Sequence, residues 1–401
     1  MSIEPRTPPP QFVAKLQRVL GGRAGWAGFA LQILFVAALV WLCYEIVANA
    51  RANLQAQRIT SGFGFLLNTA GFDVSQSLIP YSGSDPYSRV FLVGLLNTLL
   101  VSIIGIFFAT ILGFLIALGR LSPNWLLSRI SGGYVELVRN LPLLFQMLFW
   151  YLAVLGALPG TRQSLSLFGS FFLSNRGFVI PRPIGNPGLE PFAFAILIAV
   201  AASLLLRSYA RRQLFESGRL ITIWPYVVGL LIGLPLLTSL VFGAPVTFEF
   251  PELKGFNFSG GLRVIPEFVA LTLALSTYTA AFIAEIVRAG IQSVHKGQME
   301  AGASLGLQRG STLRLIVVPQ AMRVILPPLT NQYLNLTKNS SLAVAIGYPD
   351  LFSVFAGTTL SQTGQAIEII AITMGVYLLI SLVTSAIMSF YGWRISRSLG
   401  P

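Results

Sequence analysis

Few residues in this chain could carry chemistry. There is one histidine, His295, and one cysteine, Cys43, which excludes a disulfide framework and a Cys/His zinc site. Cys43 lies in an apolar run and reads as a small packing residue. No G-x-x-x-x-G-K-[ST] run supplies the backbone N–H cradle and lysine that nucleotide phosphates need. No G-x-S-x-G turn presents a nucleophilic serine, and a Ser–His–Asp arrangement would have to use His295. What remains is charge and hydroxyl groups inside apolar sequence. Glu136 with Arg139, and Glu285 with Arg288, both read E-x-V-R. A spacing of three puts each pair on one helix face, where it can neutralise itself. Ionisable groups at membrane depth are costly and point to function by default. Snorkelling with local ion pairing is the simpler reading of both pairs, and a gating or subunit-contact role stays open. Ser276, Thr277, Tyr278 and Thr279 follow one another, and Asn335, Thr337, Lys338, Asn339, Ser340 and Ser341 cluster further on. Hydroxyls, helix termini and one or two charges can hold a zwitterion at the midplane. Such side chains more often bond their own backbone or a neighbouring helix. Thr277, Thr279, Glu285, Lys338 and Asn339 are the candidates for a solute pathway.

These residues sit in a chain with little charge. Of 401 residues, 54% are apolar and only 10% are Asp, Glu, Lys or Arg. A soluble domain carries about a quarter charged residues, so this chain cannot coat a water-facing surface of its size. Disorder is excluded by the same apolar content. The net charge of +13 would raise nucleic acid as a partner in a soluble protein. Here the basic residues fall in short loops between apolar runs, so topology explains them and the partner is the lipid bilayer.

A helix needs roughly 20 residues to cross about 30 Å of hydrocarbon. Eight runs are candidates, at 28–48, 90–118, 133–158, 192–206, 221–242, 264–290, 316–337 and 367–390. Pro319, Pro327 and Pro328 interrupt the seventh, which is expected to bend. The first reads as a retained anchor, because the stretch before it is too long for the charged start of a cleavable signal. With the first end inside, 15 Lys and Arg fall inside, against 9 outside. The inside set is Arg6, Lys15, Arg18, Arg23, Arg120, Arg129, Arg207, Arg211, Arg212, Arg219, Lys296, Arg309, Arg314, Arg394 and Arg397. That bias fits both ends inside and an even number of spans.

The loop after the sixth span, HKGQMEAGASLGLQRGSTLRLIVVPQ at 295–320, is polar and rich in small residues. A helix starting near Gly297 is expected to put Glu300 in its first turn, where the helix dipole favours it. Small residues at Gly302, Ala303 and Gly306 would let another surface approach the backbone. By pattern alone, a docking element and an amphipathic connector on the membrane fit equally well. Residues 300–319 also resemble the signature loop of ABC-importer permeases: E-A-A, three residues, G, nine residues, I-x-L-P. The matching residues are Glu300, Ala301, Gly302, Gly306, Ile316 and Pro319, with Gly302 standing for the second Ala and Val318 for Leu. The flanks AEIVRAGIQSVHKGQ (284–298), VVPQAMRVILPPLTNQYLNLTKNSSLA (317–343), GLLNTLLVS (94–102) and YVELVRNLPLLFQ (134–146) resemble the polar-amino-acid branch of type I permeases.

The resemblance covers 90–158 and 264–397 and implies an all-α, polytopic bundle of about eight transmembrane helices. A type I core of five helices would carry one extra N-terminal helix and a two-helix insertion, as in permeases of general L-amino-acid importers. The implied divisions are a cytoplasmic tail 1–27, an extra helix 28–48 and a periplasmic loop 49–89. The first core part at 90–158 and an inserted segment at 159–263 follow. The second core part, 264–397, holds a cytoplasmic coupling loop at 291–319. The resemblance implies that Glu300, Ala301, Gly302, Ala303, Gly306, Ile316 and Pro319 form the coupling loop docking an ATPase dimer. It also implies a second permease subunit, identical or sister, and a periplasmic amino-acid-binding protein. The chain itself would bind no cofactor, ATP and Mg being held by the partner ATPase. The rival reading is an ion-gradient-driven secondary transporter or channel, which would want buried carboxylates or discontinuous helices in paired repeats. A membrane receptor or assembly factor without transport is a third.

Overall fold

The computed structural model describes residues 23–56, 62–218 and 220–398. The tail expected over 1–27 therefore lies almost wholly outside the described residues, as do Arg6, Lys15, Arg18, Arg58 and Arg219. Helix α1 (Arg23–Ala56) contains the first apolar run and buries none of it against the rest of the chain. A loop over 62–86 leads to α2 (Tyr87–Arg120), whose 34 residues span about 50 Å at 1.5 Å per residue. In that loop the Tyr81 hydroxyl donates to the Phe72 carbonyl at 2.6 Å. Burial raises its pKa above the ordinary tyrosine value, with the Asp73 and Asp85 carboxylates and Tyr87 adding in the same sense.

The third run departs from the expectation of one span over 133–158. It is a broken pair, α3 (Trp125–Asn140) and α4 (Leu143–Leu148), with wider i→i+5 turns over Phe149–Leu155 and a bend of 107°. Pro142 causes the break: it lacks an N–H, and it holds Leu141 in an extended conformation. The carbonyls of Val138 and Leu141 accept from Gln146 Nε2 at 2.9 and 3.0 Å, so the break leaves them partnered.

Next comes a segment that composition did not announce as partly β. Strands β1 (Leu165–Leu167), β2 (Phe171–Ser174) and β3 (Gly177–Ile180) form antiparallel hairpins, followed by β4 (Arg182–Gly185). Helices α5 (Leu189–Ser217) and α6 (Trp224–Phe242) pair as an apolar hairpin. Beyond them run β5 (Val246–Glu249), β6 (Glu252–Lys254), β7 (Asn257–Ser259) and β8 (Leu262–Val264). β8 joins β3 to complete a sheet ordered β1-β2-β3-β8, while β4 pairs β5 at the stem of the α5–α6 hairpin. β6 pairs β7 as a separate hairpin. These strands form a small cap over one end of the bundle.

From the cap, α7 (Pro266–Gln292) runs to the opposite end, where α8 (Lys296–Ser304) forms a short helix in the loop. α9 (Arg309–Thr312) passes through i→i+5 turns at Leu313–Val317 into α10 (Val318–Asn339), with Pro327 and Pro328 inside it. A tight turn over Ser340–Ile346, an i→i+5 stretch over Phe352–Thr359 and α11 (Leu360–Thr363) precede the last helix, α12 (Ala366–Ser398). Among the described residues, seven helices are long and apolar enough to cross a membrane, or eight if the bent pair is one span.

The core lies where α2 meets α7. Val101, Gly105, Ala109, Gly113 and Ala117 recur every four residues on α2, and all are buried. Small side chains at that spacing let two backbones approach closely. The approach is close enough that a Cβ on Gly113 would sit 2.6 Å from Ile283 Cγ2. Polar atoms at the cap end of α2 are spent on the segment before α11. Asn97 Nδ2 donates to the Pro349 and Gln76 carbonyls, both at 2.9 Å, and Thr98 Oγ1 accepts from Leu351 N at 3.0 Å. Asp350, fully buried, accepts from Ser353 N at 2.8 Å and from the Tyr377 hydroxyl at 3.3 Å.

Candidate functional site

The loop between α7 and α10 folds into a helical corner. His295 caps α8, its Nδ1 accepting from Gly297 N at 3.1 Å. The helix starts at Lys296, so Glu300 falls in the second turn and the first turn holds no acidic residue. This corrects the expectation that Glu300 answers the helix dipole directly. The far end closes with a Schellman motif: Leu307 N donates to the Gly302 carbonyl at 3.0 Å and Gly306 N to the Ala303 carbonyl at 2.9 Å. That closure needs a left-handed residue, and Gly306 supplies it at φ +73°. Gly306 has no neighbour near its Cα, so its use is conformational rather than to admit a close surface.

Gly302 is the position of close approach. It is buried, and a Cβ there would meet Thr312 Cγ2 at 2.5 Å, so α8 leans on α9 of its own chain. Ile316 is half-buried in the i→i+5 turns and Pro319 sits in the first turn of α10. Glu300, Ala301, Ala303, Leu305 and Gly306 are exposed, Leu305 at 78%. α8 therefore offers a fixed outer face of one carboxylate, small side chains and an apolar leucine.

Beside this corner, the two E-x-V-R pairs behave differently. Glu285 is held by both ends: its carboxylate takes Arg288 at 2.5 Å within α7 and Arg120 from the end of α2. Glu136 is exposed and makes no ion pair among the described residues, contrary to the expected pairing with Arg139. Arg139 instead lies over the Phe282 ring, 5.1 Å from its centroid. Glu285 thus ties α2 to α7 at the loop end. Arg120 gave no local sequence signal for this, since it is 165 residues away.

The remaining candidates do not share one site. Thr277 is half-buried; its hydroxyl bonds back to the Leu273 carbonyl at 2.7 Å and its carbonyl accepts from Tyr134 at 2.7 Å. Thr279 is buried in α7. Lys338 is exposed and lines a cavity of about 450 Å³ with Ser341, Phe352, Thr373, Tyr377 and Ser381. Asn339, half-buried, ends α10 beside it. Thr277 lines two other cavities, so Lys338 and Thr277 are separated. Tyr377, which lines that cavity, and Asp350, which accepts from its hydroxyl, were not singled out as site residues from the sequence.

The profile of the family described as "Binding-protein-dependent transport system inner membrane component" matches residues 105–397. The chain belongs to this family. It is a multi-pass membrane subunit of such a system, and the α8 corner lies inside the family match. A putative amino-acid ABC transporter permease protein of Escherichia coli K12, YhdX, is 55% identical over 91% of this chain and 93% of its own length. The general L-amino acid transport system permease protein AapQ of Rhizobium johnstonii is 50% identical over 91% of each chain. The glutamate/glutamine/aspartate/asparagine transport system permease protein BztB of Rhodobacter capsulatus is 41% identical over 90% of this chain and 91% of its own length. These alignments cover more of the chain than the family match does.

Proposed function

We propose that this chain is the translocation subunit through which polar L-amino acids cross the inner membrane, driven by a separate ATPase dimer seated on α8. The observation that carries the reading is the exposed face of α8, held by the Schellman closure and by the Gly302–Thr312 contact. A docking helix must transmit force, and this one is braced against α9, which runs on into α10. The substrates for which these relatives are named support the choice of solute. In this reading the α8 end is cytoplasmic, with both chain ends on that side, and the cap faces the periplasm. ATP and Mg belong to the ATPase, a periplasmic binding protein delivers the amino acid, and a second permease subunit completes the pathway. ATPase closure pushes α8, and the Glu285 tie makes α2 and α7 move as one. Lys338 attracts the carboxylate of the passing amino acid into its cavity.

The test is uptake into proteoliposomes holding the complete transporter. Glu300→Lys and Gly306→Trp are each expected to abolish ATP-dependent uptake while the chain stays in the membrane. Uptake that survives both changes, or that collapses with an uncoupler at constant ATP, would overturn this function in favour of ion-gradient transport.

A further inference from the structure

We propose that the cap carries a docking cleft for carboxylate side chains of the binding protein, built on Arg162 and Arg176. This deepens the function proposed above and rests on it. The cap segments 157–186 and 244–264 contain five basic residues and two acidic ones. Lys254 is answered by Glu252 at 3.6 Å, but Arg162, Arg176 and Arg263 make no ion pair among the described residues.

Two of these guanidiniums are held in place by one turn. Between β6 and β7, Phe256 presents its ring to Arg162, whose guanidinium carbon lies 3.8 Å from the centroid. The next residue, Asn257, accepts from Arg176 at 2.9 Å. Arg263 from β8 reaches the Arg176 carbonyl at 3.4 Å, bracing the same corner. Arg162 and Arg176 face a cleft of about 300 Å³ with Thr161, Gln163, Asn175 and Phe256, and no carboxylate lines it. Stacking on an aromatic ring leaves the N–H edge of a guanidinium free for a carboxylate, and pre-ordering reduces the entropy lost on binding.

The form of the cleft decides what occupies it. A free amino acid is held in sites that enclose most of its surface and that meet its ammonium with an acceptor. This cleft leaves Arg162, Gln163, Asn175, Arg176 and Phe256 exposed and offers no anion for an ammonium. A carboxylate already carried by a protein surface needs neither enclosure nor a second pole. Arg beside an exposed aromatic is also the composition of interface hot spots. The family description makes the system dependent on a binding protein, which must meet the membrane subunit on the delivery side.

The experiment uses proteoliposomes with the complete transporter, titrated with its loaded binding protein. Arg162→Glu with Arg176→Glu is expected to raise the half-saturating binding-protein concentration by about tenfold or more, equivalent to about 1.4 kcal/mol. The saturating uptake rate should stay within about twofold, which also reports that the variant is folded. Arg162→Gln with Arg176→Gln should give a smaller rise, and Lys254→Glu, outside the cleft, none. Added salt should weaken half-saturation in the wild type and not in the Glu variant. An unchanged half-saturation in both double variants, or a fall in saturating rate alone, would overturn the cleft. Calorimetry of the complex without binding protein, titrated with L-glutamate, gives the other source. Heat that disappears in the Glu variant would mean a free-carboxylate site and overturn docking. Failure of the function proposed above reads differently: the wild type would then show no binding-protein-dependent uptake at all.

Discussion

α7 and the α5–α6 hairpin are all apolar enough to span a bilayer, yet α7 buries 61% of its most apolar window while α5 and α6 bury 11% and 6%. Hydropathy alone would not separate them. Side-chain size does. Eight of the thirteen buried positions of α7 are Ala, Gly, Ser276 or Thr279, interleaved with Leu271, Leu275, Ile283 and Val287, and this face meets the Gly105, Ala109 and Gly113 stripe of α2. α5 and α6 turn large residues outward, Leu197 at 66% and Leu240 at 74% exposed. Lipid tails are as apolar as leucine, so burial between helices comes from close packing of small residues, and large ones are left to lipid. The helices that pack together meet through small residues, and the α5–α6 hairpin turns large ones outward.

The sharpest way to break this contrast is to enlarge the packed face. Gly113→Leu should cost about 3 kcal/mol through overpacking against Ile283, seen as a lower unfolding midpoint in detergent and lost uptake. A neutral result would mean that α2 and α7 are not in fixed contact. Removing the polar tie at the same interface is a smaller change. Glu285→Gln leaves Arg120 and Arg288 facing each other without their carboxylate and should cost about 1 to 2 kcal/mol, the site being only partly buried. ATP hydrolysis measured beside uptake should then show more ATP spent per amino acid moved; an unchanged ratio would confine Glu285 to stability. Leu240→Ala on α6 should shift the unfolding midpoint by less than the equivalent of about 0.5 kcal/mol, as expected for a position away from packed contacts. A large shift there would place a partner against the hairpin.

The sequence carried the spans because apolar length is a direct readout of bilayer thickness. It also carried the α8 corner, since Glu300, Gly302 and Gly306 form a local pattern whose partners lie within a few residues. It misled where the outcome depended on distant partners. Glu136 and Glu285 share the E-x-V-R pattern, and only the arrival of Arg120 from α2 gives one of them an inter-helix ion pair. The strands of the cap are three or four residues long, and β3 finds β8 across the whole α5–α6 hairpin, so no local alternation announces the sheet. The third span breaks at Pro142, and the apolar run Leu143–Leu155 that follows it reads in sequence as a continuation of the same helix. The small-residue stripe of α2 was legible at a four-residue spacing and was hidden only by the high hydropathy around it.

The account turns on α8 as the seat of the driving ATPase. The most direct measurement is the affinity of the purified ATPase subunit for this membrane subunit held in nanodiscs, wild type against Glu300→Lys. The account predicts at least a tenfold loss of affinity with an unchanged unfolding midpoint, because Glu300 is exposed and outside the bracing contacts of the corner. Equal affinities would contradict it and leave α8 as a connector.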